Sequence, residues 1–531
     1  MRLLLLVLLL AVCVSGGLFD TKFGQKIKGV MDKIKTKLNS TALLAIREKI
    51  HGLKEKVKAK LTLSPERKAI LDELLKQISS IKKDHILSKG DSIEEINGNN
   101  KIGELLYQGD IVLTNEQADE IVQDAEDNGS NRTKRQAFRD QNYPRTLWSN
   151  GVNYFFDPSA SPAVRSVFTK GARLWMKDTC IDFRENSQAP DRIRVFKEDG
   201  CWSFVGRLGK QQDLSLGDGC ESPDWVDQFT KQTTATNENY GLPYDYGNIM
   251  HYGANSASYN GRPTMIPNDP KYVETLGSPI ISFYELLMIN QHYGCMKRCD
   301  PNSSAKCAMG GFPHPRDCSR CICPSGYGGR LCNERPSGCG QVYQASAQYQ
   351  TLTDEVGNRN AGQRPREDMD MCHYWITAPA GARIEVKLVG FPKGLAVDGC
   401  QYAGVEIKTH ADQRLTGYRF CAPEDAGVTL VSKHNIVPII TYNRFYATKT
   451  VIQYRIVSGG QPMPQPKPNP NCVDNQHKAV GGVGILVSTI LVMNMGTFER
   501  LATQIGFTTE KIWMDTGVPV TNAPSYAYDE G

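Results

Sequence analysis

The segment Pro243-Tyr-Asp-Tyr-Gly-Asn-Ile-Met-His-Tyr-Gly253 is the most informative part of this 531-residue chain. Taken alone, it indicates a buried strand and turn in which Met250 and Tyr252 pack. Two further stretches accompany it along the chain. They are Asp199-Gly-Cys-Trp-Ser-Phe-Val-Gly-Arg207 before it and Thr275-Leu-Gly277, followed by Tyr293-Gly-Cys295, after it.

These three stretches resemble the astacin family of zinc endopeptidases, and roundworm members with the same module order are especially similar. The resemblance implies a metzincin-like α+β peptidase domain over residues 136–295. In that family the methionine of the Met-turn, here Met250, underlies the metal. The tyrosine two residues on, here Tyr252, binds the metal as a fifth ligand or stabilises the oxyanion of the transition state.

The zinc-binding motif of that family is missing from the chain. In H-E-x-x-H-x-x-G-x-x-H, three histidines hold the metal and the glutamate is the base for metal-bound water. The nine histidines include no two that lie four residues apart, and only His251 and His292 fall within 136–295. Gly219-Cys-Glu-Ser222 runs directly into Pro223-Asp-Trp225. We expect an internal deletion after about residue 222, no catalytic zinc, no general base and a loosely packed domain.

The chain before the peptidase domain, residues 17–135, is predicted to be a helical pro-segment. Apolar residues recur with helical periodicity in its lysine-rich first part and again after Pro65. Tyr107-Gln-Gly-Asp110 resembles a family motif whose aspartate, here Asp110, ligates zinc in the zymogens of intact relatives. Arg132, Lys134 and Arg135 form the R-x-K-R pattern of proprotein convertase sites. Cleavage there would make Gln136 the new N-terminus.

The N-terminus predicts a secreted, extracellular protein. A charged start, an apolar run from Leu3 to Val14 and small residues after it are typical of a signal peptide, assigned to residues 1–16. Sixteen cysteines agree with an oxidising compartment. One of them, Cys13, lies in the signal peptide, so an odd number remains and one lacks an internal partner. The net charge of +5 gives no indication of a nucleic-acid partner.

Two accessory modules follow the peptidase domain. Residues 296–333 contain six cysteines in a segment too short for a good apolar core and resemble a disulfide-rich EGF-like module. Residues 339–458 alternate apolar and polar residues in short runs, which predicts a β-sandwich, and they resemble a CUB domain. Many CUB domains bind calcium with an aspartate where this chain has Ala403 and Gly404, which argues against a calcium site.

The resemblance implies seven disulfides. They are Cys180–Cys295, Cys201–Cys220, Cys299–Cys318, Cys307–Cys321, Cys323–Cys332, Cys339–Cys372 and Cys400–Cys421. By spacing alone, the six cysteines of the EGF-like module allow 15 pairings. Cys472 is left over, and we expect it to be free or joined to another chain. Sequons for glycosylation begin at Asn39, Asn128, Asn131 and Asn302.

Residues 459–531 are a proline-rich linker and a tail of unknown structure. The stretch 479–498 carries no charged residue and is long enough to span a membrane. Its glycines and Asn494 argue against an anchor, and a loosely ordered tail is the favoured interpretation.

The sequence supports two functions. The first is a secreted astacin-like zinc metalloendopeptidase gene product, in a form without its zinc ligands and therefore inactive as written. Relatives with this layout process extracellular matrix, as in cuticle moulting or egg hatching. The alternative is a non-enzymatic secreted protein whose EGF-like and CUB modules bind extracellular matrix proteins or a protein substrate.

Overall fold

The computed structural model describes residues 45–46, 64–78, 81–100, 102, 106–107, 110–126, 137–138, 142–198, 200–217, 237–256, 258, 262–391 and 394–457. They form helices of the N-terminal segment, a mixed α/β domain, a small disulfide-rich module and a β-sandwich. None of the helices in these ranges is long and apolar enough to cross a membrane.

The α-helices with both ends in these ranges lie in the first 300 residues. They are α1 (Pro65–Gln77), α2 (Ile93–Asn99), α3 (Asn115–Glu126), α4 (Pro162–Asp178) and α5 (Phe283–His292). Ser161 caps α4, because its hydroxyl accepts a hydrogen bond from the Val164 N–H at 3.2 Å. One face of α4 packs into the core, since Val164, Val167, Phe168, Ala172 and Trp175 are all buried.

A six-stranded sheet forms the mixed α/β domain. Its strands are β1 (Ile111–Val112), β3 (Val152–Phe156), β4 (Phe183–Glu185), β5 (Arg192–Phe196), β6 (Cys201–Phe204) and β7 (Gln211–Leu216), in the order β1-β6-β7-β5-β3-β4. Strands β6 and β7 pair antiparallel, and the other neighbours in this sheet pair parallel. Strands β2 (Ala137–Phe138) and β8 (Asn237–Glu238) form a separate antiparallel pair.

The described part of this domain has a closely packed core, so the expectation of loose packing is wrong for these residues. Val164 and Val195 are completely buried, and Leu216 is 1% exposed. The physical reason is that the N-terminal segment contributes side chains to the same core. Ile96 of α2 is 4% exposed and belongs to the same buried cluster as Val164 and Val195.

A small module, residues 299–332, connects the α/β domain to the β-sandwich. Its two strands, β9 (Phe312–His314) and β10 (Asp317–Ile322), pair antiparallel. The Arg316 side chain donates to Thr179 O at 2.7 Å and Ile181 O at 3.0 Å, at the C-terminal end of α4. These contacts anchor the module to the α/β domain.

Two facing sheets form the β-sandwich, as predicted. One contains β11 (Val342–Gln344), β13 (Asp370–Thr377), β18 (Ile436–Asn443), β15 (Ala403–Ile407) and β16 (Tyr418–Phe420). The other contains β12 (Gln350–Gly357), β19 (Ala447–Val457), β14 (Arg383–Gly390) and β17 (Thr429–Val431). Residues alternate between buried and more exposed along β13 and the first part of β14, the pattern of a strand with one face in a core.

Candidate functional site

The segment around Met250 is a tight turn held by hydrogen bonds. Asn248 Oδ1 accepts from the Met250 N–H at 2.8 Å, and the His251 N–H donates to Asn248 O at 2.9 Å. Met250 is half-buried. Tyr252 packs against a buried cluster that includes Met265. These contacts fix the backbone that carries the Tyr252 phenol.

Two buried carboxylates support this turn. Glu285 accepts from the Ile249 N–H at 3.1 Å and from the Ser282 N–H at 2.7 Å, the second of which completes a capping box at the start of α5. Asp245 accepts from the backbone N–H and the hydroxyl of Thr416, at 3.2 and 3.1 Å, and burial raises its pKa. Both carboxylates are committed to structural hydrogen bonds, so neither is positioned to act as a base.

Tyr252 contacts Asp110 of the N-terminal segment. The Tyr252 hydroxyl is 3.4 Å from Asp110 Oδ1, and Asp110 is buried. Asp110 ends a turn in which the Tyr107 N–H donates to Ile111 O at 2.7 Å and the Ile111 N–H donates to Tyr107 O at 2.9 Å. The structure thus brings together Tyr252 and Asp110, two predicted site residues from distant parts of the sequence.

The two histidines of this domain are engaged in other contacts. Nδ1 of the buried His251 is 2.7 Å from Tyr252 O. Nδ1 of His292 is 2.6 Å from the Tyr240 hydroxyl, and its ring lies 5.3 Å from that of Tyr143. Neither imidazole is directed by these contacts towards the Tyr252–Asp110 pair.

The described residues around the turn do not fit a catalytic zinc ion. Such a site needs three protein ligands and an open position for water. Here the Tyr252 phenol and the Asp110 carboxylate are adjacent, while His251 is turned to a backbone carbonyl. The stretch between residues 217 and 237 cannot supply a histidine, because the sequence has none there.

Two other groups of potential metal ligands occur among the described residues. In the first, Glu274 lies near Cys400 and Cys421, but these cysteines form a disulfide. The second consists of His85, Asp91 and Glu95. Asp91 already accepts hydrogen bonds from two backbone N–H groups and from a tyrosine hydroxyl. Neither group indicates a metal site.

An arginine lies beside Ala403, where many CUB domains have a calcium ligand and this chain has none. Ala403 is buried at the start of β15. The buried Arg444 guanidinium donates to Gln401 O at 2.8 Å and lies 5.0 Å from the centroid of the Tyr402 ring. A fixed positive charge so near this strand disfavours a cation there.

Six disulfides join pairs of cysteines that the structure describes, and they coincide with six of the seven pairs that the resemblance implied. They are Cys180–Cys295, Cys299–Cys318, Cys307–Cys321, Cys323–Cys332, Cys339–Cys372 and Cys400–Cys421. Cys201 is also disulfide-bonded, but its expected partner, Cys220, lies outside the described residues.

Several other predicted positions lie outside the described residues. They are Arg132, Lys134, Arg135, Cys472, Asn39, Asn128 and Asn131. Asn302 is described and is exposed in a turn, where its backbone N–H donates to Asp300 Oδ1 at 3.0 Å. An exposed turn is compatible with glycosylation.

Sequence reasoning missed an ionic contact that joins three regions. Lys83 of the N-terminal segment donates to Glu274 of the α/β domain and lies 3.0 Å from Asp398 of the β-sandwich. Burial alone would lower the pKa of Lys83, but the two carboxylates more than offset this and raise it. Burial raises the pKa of Glu274 to about 7, although Lys83 acts in the opposite direction. No local sequence pattern signals such a contact.

Comparison with known proteins identifies the family. The family model described as Astacin, a peptidase family, matches residues 140–226 and 221–294. The zinc metalloproteinase nas-31 of Caenorhabditis elegans is 39% identical over 465 residues, which are 79% of this chain and 76% of that protein. Nas-32 of the same organism is 33% identical over 402 residues, 68% of this chain and 60% of its own length.

Two solved structures align with shorter parts of the chain, at low identity and low TM-score. High choriolytic enzyme 1, a hatching-enzyme zinc protease of the medaka Oryzias latipes, matches at 23% identity and a TM-score of 0.24, covering 31% of this chain and 99% of its own. The CUB1-EGF-CUB2 domains of rat MASP-1 match at 14% identity and a TM-score of 0.16, covering 22% of this chain and 44% of theirs.

With this degree of identity to nas-31, the chain belongs to the astacin family of metallopeptidases. The region called the α/β domain above is its astacin-like peptidase domain.

Proposed function

We propose that this chain is the secreted product of an astacin-family endopeptidase gene, in a form that lacks the zinc ligands and the general base and hydrolyses no peptide. The observation that carries the proposal is the absence of any H-E-x-x-H sequence from a chain whose Met-turn is otherwise well formed. The family model matches the chain in two pieces that overlap at residues 221–226, where the deletion is expected, and this supports the proposal.

The chemistry of the remaining side chains supports inactivity. A metallopeptidase needs three ligands for the metal and a carboxylate beside the metal-bound water. The Tyr252 phenol donates to Asp110, and the carboxylates of Asp245 and Glu285 hold backbone groups. A phenol and one carboxylate from a separate segment do not replace a histidine triad.

Zinc content and proteolysis test this proposal together. Purified chain, with and without cleavage after Arg135, is assayed for bound zinc by elemental analysis and for hydrolysis of casein and gelatin. We expect no stoichiometric zinc and no activity that a chelator abolishes. High choriolytic enzyme 1, a zinc protease, is a suitable positive control. One equivalent of zinc together with chelator-sensitive proteolysis would overturn the proposal.

A second candidate is a secreted binding protein that acts through its EGF-like and CUB modules on extracellular matrix proteins. It is favoured by the two-sheet sandwich and by the three disulfides of the small module, which need no zinc site. Sequencing cDNA across Cys220–Trp225 separates the two candidates. If every transcript lacks the motif, the result favours the binding function. A longer transcript that encodes H-E-x-x-H would instead mark this chain as a partial form of an active peptidase.

The proposed maturation follows from the division of the chain into a signal peptide (1–16), a pro-segment (17–135), a peptidase domain (136–295), an EGF-like module (296–333), a CUB domain (339–458) and a tail (459–531). A proprotein convertase would cut after Arg135 in the secretory pathway. N-terminal sequencing of secreted protein should then find Gln136. Recovery of intact precursor alone, in cells with active convertase, would contradict this step.

A further inference from the structure

The N-terminal segment supplies core side chains to the peptidase domain. Buried apolar side chains from residues 96–118 belong to three clusters that also contain residues of the domain, such as Val164, Phe196 and Val205. The buried members from residues 96–118 are Ile96, Ile102, Leu106, Tyr107, Ile111, Val112, Leu113 and Ala118. Their removal would expose apolar surface on both partners, which is unfavourable in water.

The same segment covers the edge of β6 that lies opposite β7, from one end to the other. At Cys201, the side chain of Asn97 forms the two backbone hydrogen bonds that a neighbouring strand would form. It donates to Cys201 O at 2.7 Å and accepts from the Cys201 N–H at 2.8 Å. Next, β1 pairs in parallel with Ser203 and Phe204. The Gln117 side chain then donates to Val205 O at 3.3 Å. Asn97 is completely buried.

A third set of contacts ties the segment to the β-sandwich. The Asp84 N–H donates to Ala396 O at 3.0 Å, and the Ala396 N–H donates back to Asp84 Oδ2 at 2.8 Å. The Tyr402 hydroxyl donates to the buried Asp91 carboxylate. Lys83 adds the ionic contact with Glu274 and Asp398. One short segment therefore contacts both the peptidase domain and the sandwich through buried polar groups.

We propose that the segment spanning residues 81–126 stays bound after the chain is cut near Arg135, as a non-covalent subunit that completes the peptidase core and joins it to the sandwich. The surface formed by β6, Glu274 and Ala396 has this segment of the same chain as its partner. Departure of the segment would leave an unpaired strand edge, exposed apolar side chains and a buried Glu274 without its cation. The proposal uses the proposed maturation only for the position of the cut.

A directed cut tests the proposal without relying on a convertase. In the full chain, Asn131–Arg135 are replaced by the recognition sequence of a site-specific protease, and the purified protein is cut and run on a size-exclusion column. Residues 17–179 contain no cysteine, so no disulfide can hold the two fragments together. We expect co-elution in native buffer and separation in denaturant. Release of the segment from a remainder that elutes as a folded protein would overturn the proposal.

Two asparagines of the same helix provide matched variants. Asn97→Ala removes both hydrogen bonds to Cys201, whereas Asn99→Ala changes an exposed residue that bonds within the segment, to Lys89 O. After the cut, Asn97→Ala should raise the dissociation constant of the segment roughly 10- to 100-fold, and Asn99→Ala less than about threefold. Equal effects of the two changes would show that the β6 edge is not part of the binding surface.

Hydrogen exchange in the otherwise unmutated cut protein gives a readout that does not depend on the folding of a variant. If the segment stays in place, the amides of Cys201 and Ser203, which donate to Asn97 Oδ1 and Asp110 O, should keep the protection that they have before the cut. Loss of protection at β6, with protection retained in the sandwich strands, would show that the segment leaves and would contradict the proposal.

Discussion

The β-sandwich and the peptidase domain obtain their cores in different ways. The sandwich core is made almost entirely of its own residues, with Ile384, Val386 and Leu388 of one sheet facing Ile376 and Val437 of the other, all completely buried. The peptidase core includes side chains from a segment that precedes a proposed cleavage site. A domain that shares its core with another segment has its stability linked to the presence of that segment.

The interface between the peptidase domain and the sandwich also includes a residue of the N-terminal segment. Asp245 of the peptidase domain receives two hydrogen bonds from Thr416, and Tyr418 of the sandwich donates to Asp269 at 2.7 Å. These polar contacts connect the two domains directly. Lys83 of the N-terminal segment adds a positive charge at the same interface, beside Glu274 and Asp398. The sandwich thus contributes to an interface but does not require it for its own core.

The largest expected effect is the complete loss of folding in one isolated fragment. Residues 339–457 expressed alone should unfold in a single cooperative transition, because the fragment contains both sheets and the disulfides Cys339–Cys372 and Cys400–Cys421. Residues 136–295 expressed alone should lack a cooperative transition. Near-UV circular dichroism and thermal unfolding check both statements. A cooperatively folded 136–295 fragment would remove the distinction between the two regions.

A core substitution in the N-terminal segment should cost the next largest amount. Ile96 is 4% exposed and Ile70 of α1 is 49% exposed, so Ile96→Ala and Ile70→Ala make a matched pair. We expect Ile96→Ala to lower the free energy of unfolding of the peptidase domain by about 2–5 kcal/mol. The exposed change should stay within about 0.5 kcal/mol. Denaturant unfolding, followed by hydrogen exchange in the peptidase strands, measures the difference; similar losses for both changes would contradict a core role for Ile96.

Much of the fold was predictable because its signals are local. The apolar spacing in α4 and the Ser282–Glu285 capping box each occupy a few consecutive residues, and the structure contains both. Alternation along β14 indicated a strand with one buried face in the same way. Where a pattern repeats within one element, the sequence is sufficient because packing and pattern have the same period.

The contribution of the N-terminal segment to the core was not predictable in this way. Ile96 lies in a seven-residue helix, too short for a periodic pattern to identify a face. Asn97 forms hydrogen bonds with a residue 104 positions away, and Lys83 pairs with a residue 191 positions away. Asp110 was found only because its motif resembles a family motif. A contact between residues far apart in the sequence produces no pattern in the sequence around either residue.

The ionic contact of Lys83 should produce a smaller and pH-dependent effect. Lys83→Met removes the cation beside Glu274, whose pKa is about 7 with Lys83 present and would rise further without it. The variant therefore keeps a proton that the wild type releases above pH 7, so its loss of stability grows as the pH rises through 7. We expect a loss of about 2 kcal/mol at pH 8 and less than about 1 kcal/mol at pH 5.5.

Thermal unfolding across this pH range measures the loss. Lys82→Met is the control, because Lys82 is exposed and adjacent. A loss for Lys83→Met that does not change with pH would contradict the assignment of the effect to Glu274.

The smallest expected effect concerns a single hydroxyl between the N-terminal segment and the sandwich. Tyr402→Phe removes the hydrogen bond to Asp91 and keeps the ring against Arg444. The control is Tyr442→Phe, since the Tyr442 hydroxyl oxygen is buried without a hydrogen-bond partner among the described residues. Tyr402→Phe should lower the free energy of unfolding by about 1.5 kcal/mol, because a buried carboxylate loses a donor. Tyr442→Phe should cost nothing or stabilise slightly, since it removes an unsatisfied buried oxygen.

Thermal unfolding of the uncut chain measures both changes. If the two substitutions cost the same, the Asp91–Tyr402 contact contributes nothing to holding the segment on the sandwich. The contacts between the segment and the sandwich would then be those of Lys83 with Asp398 and of Asp84 with Ala396.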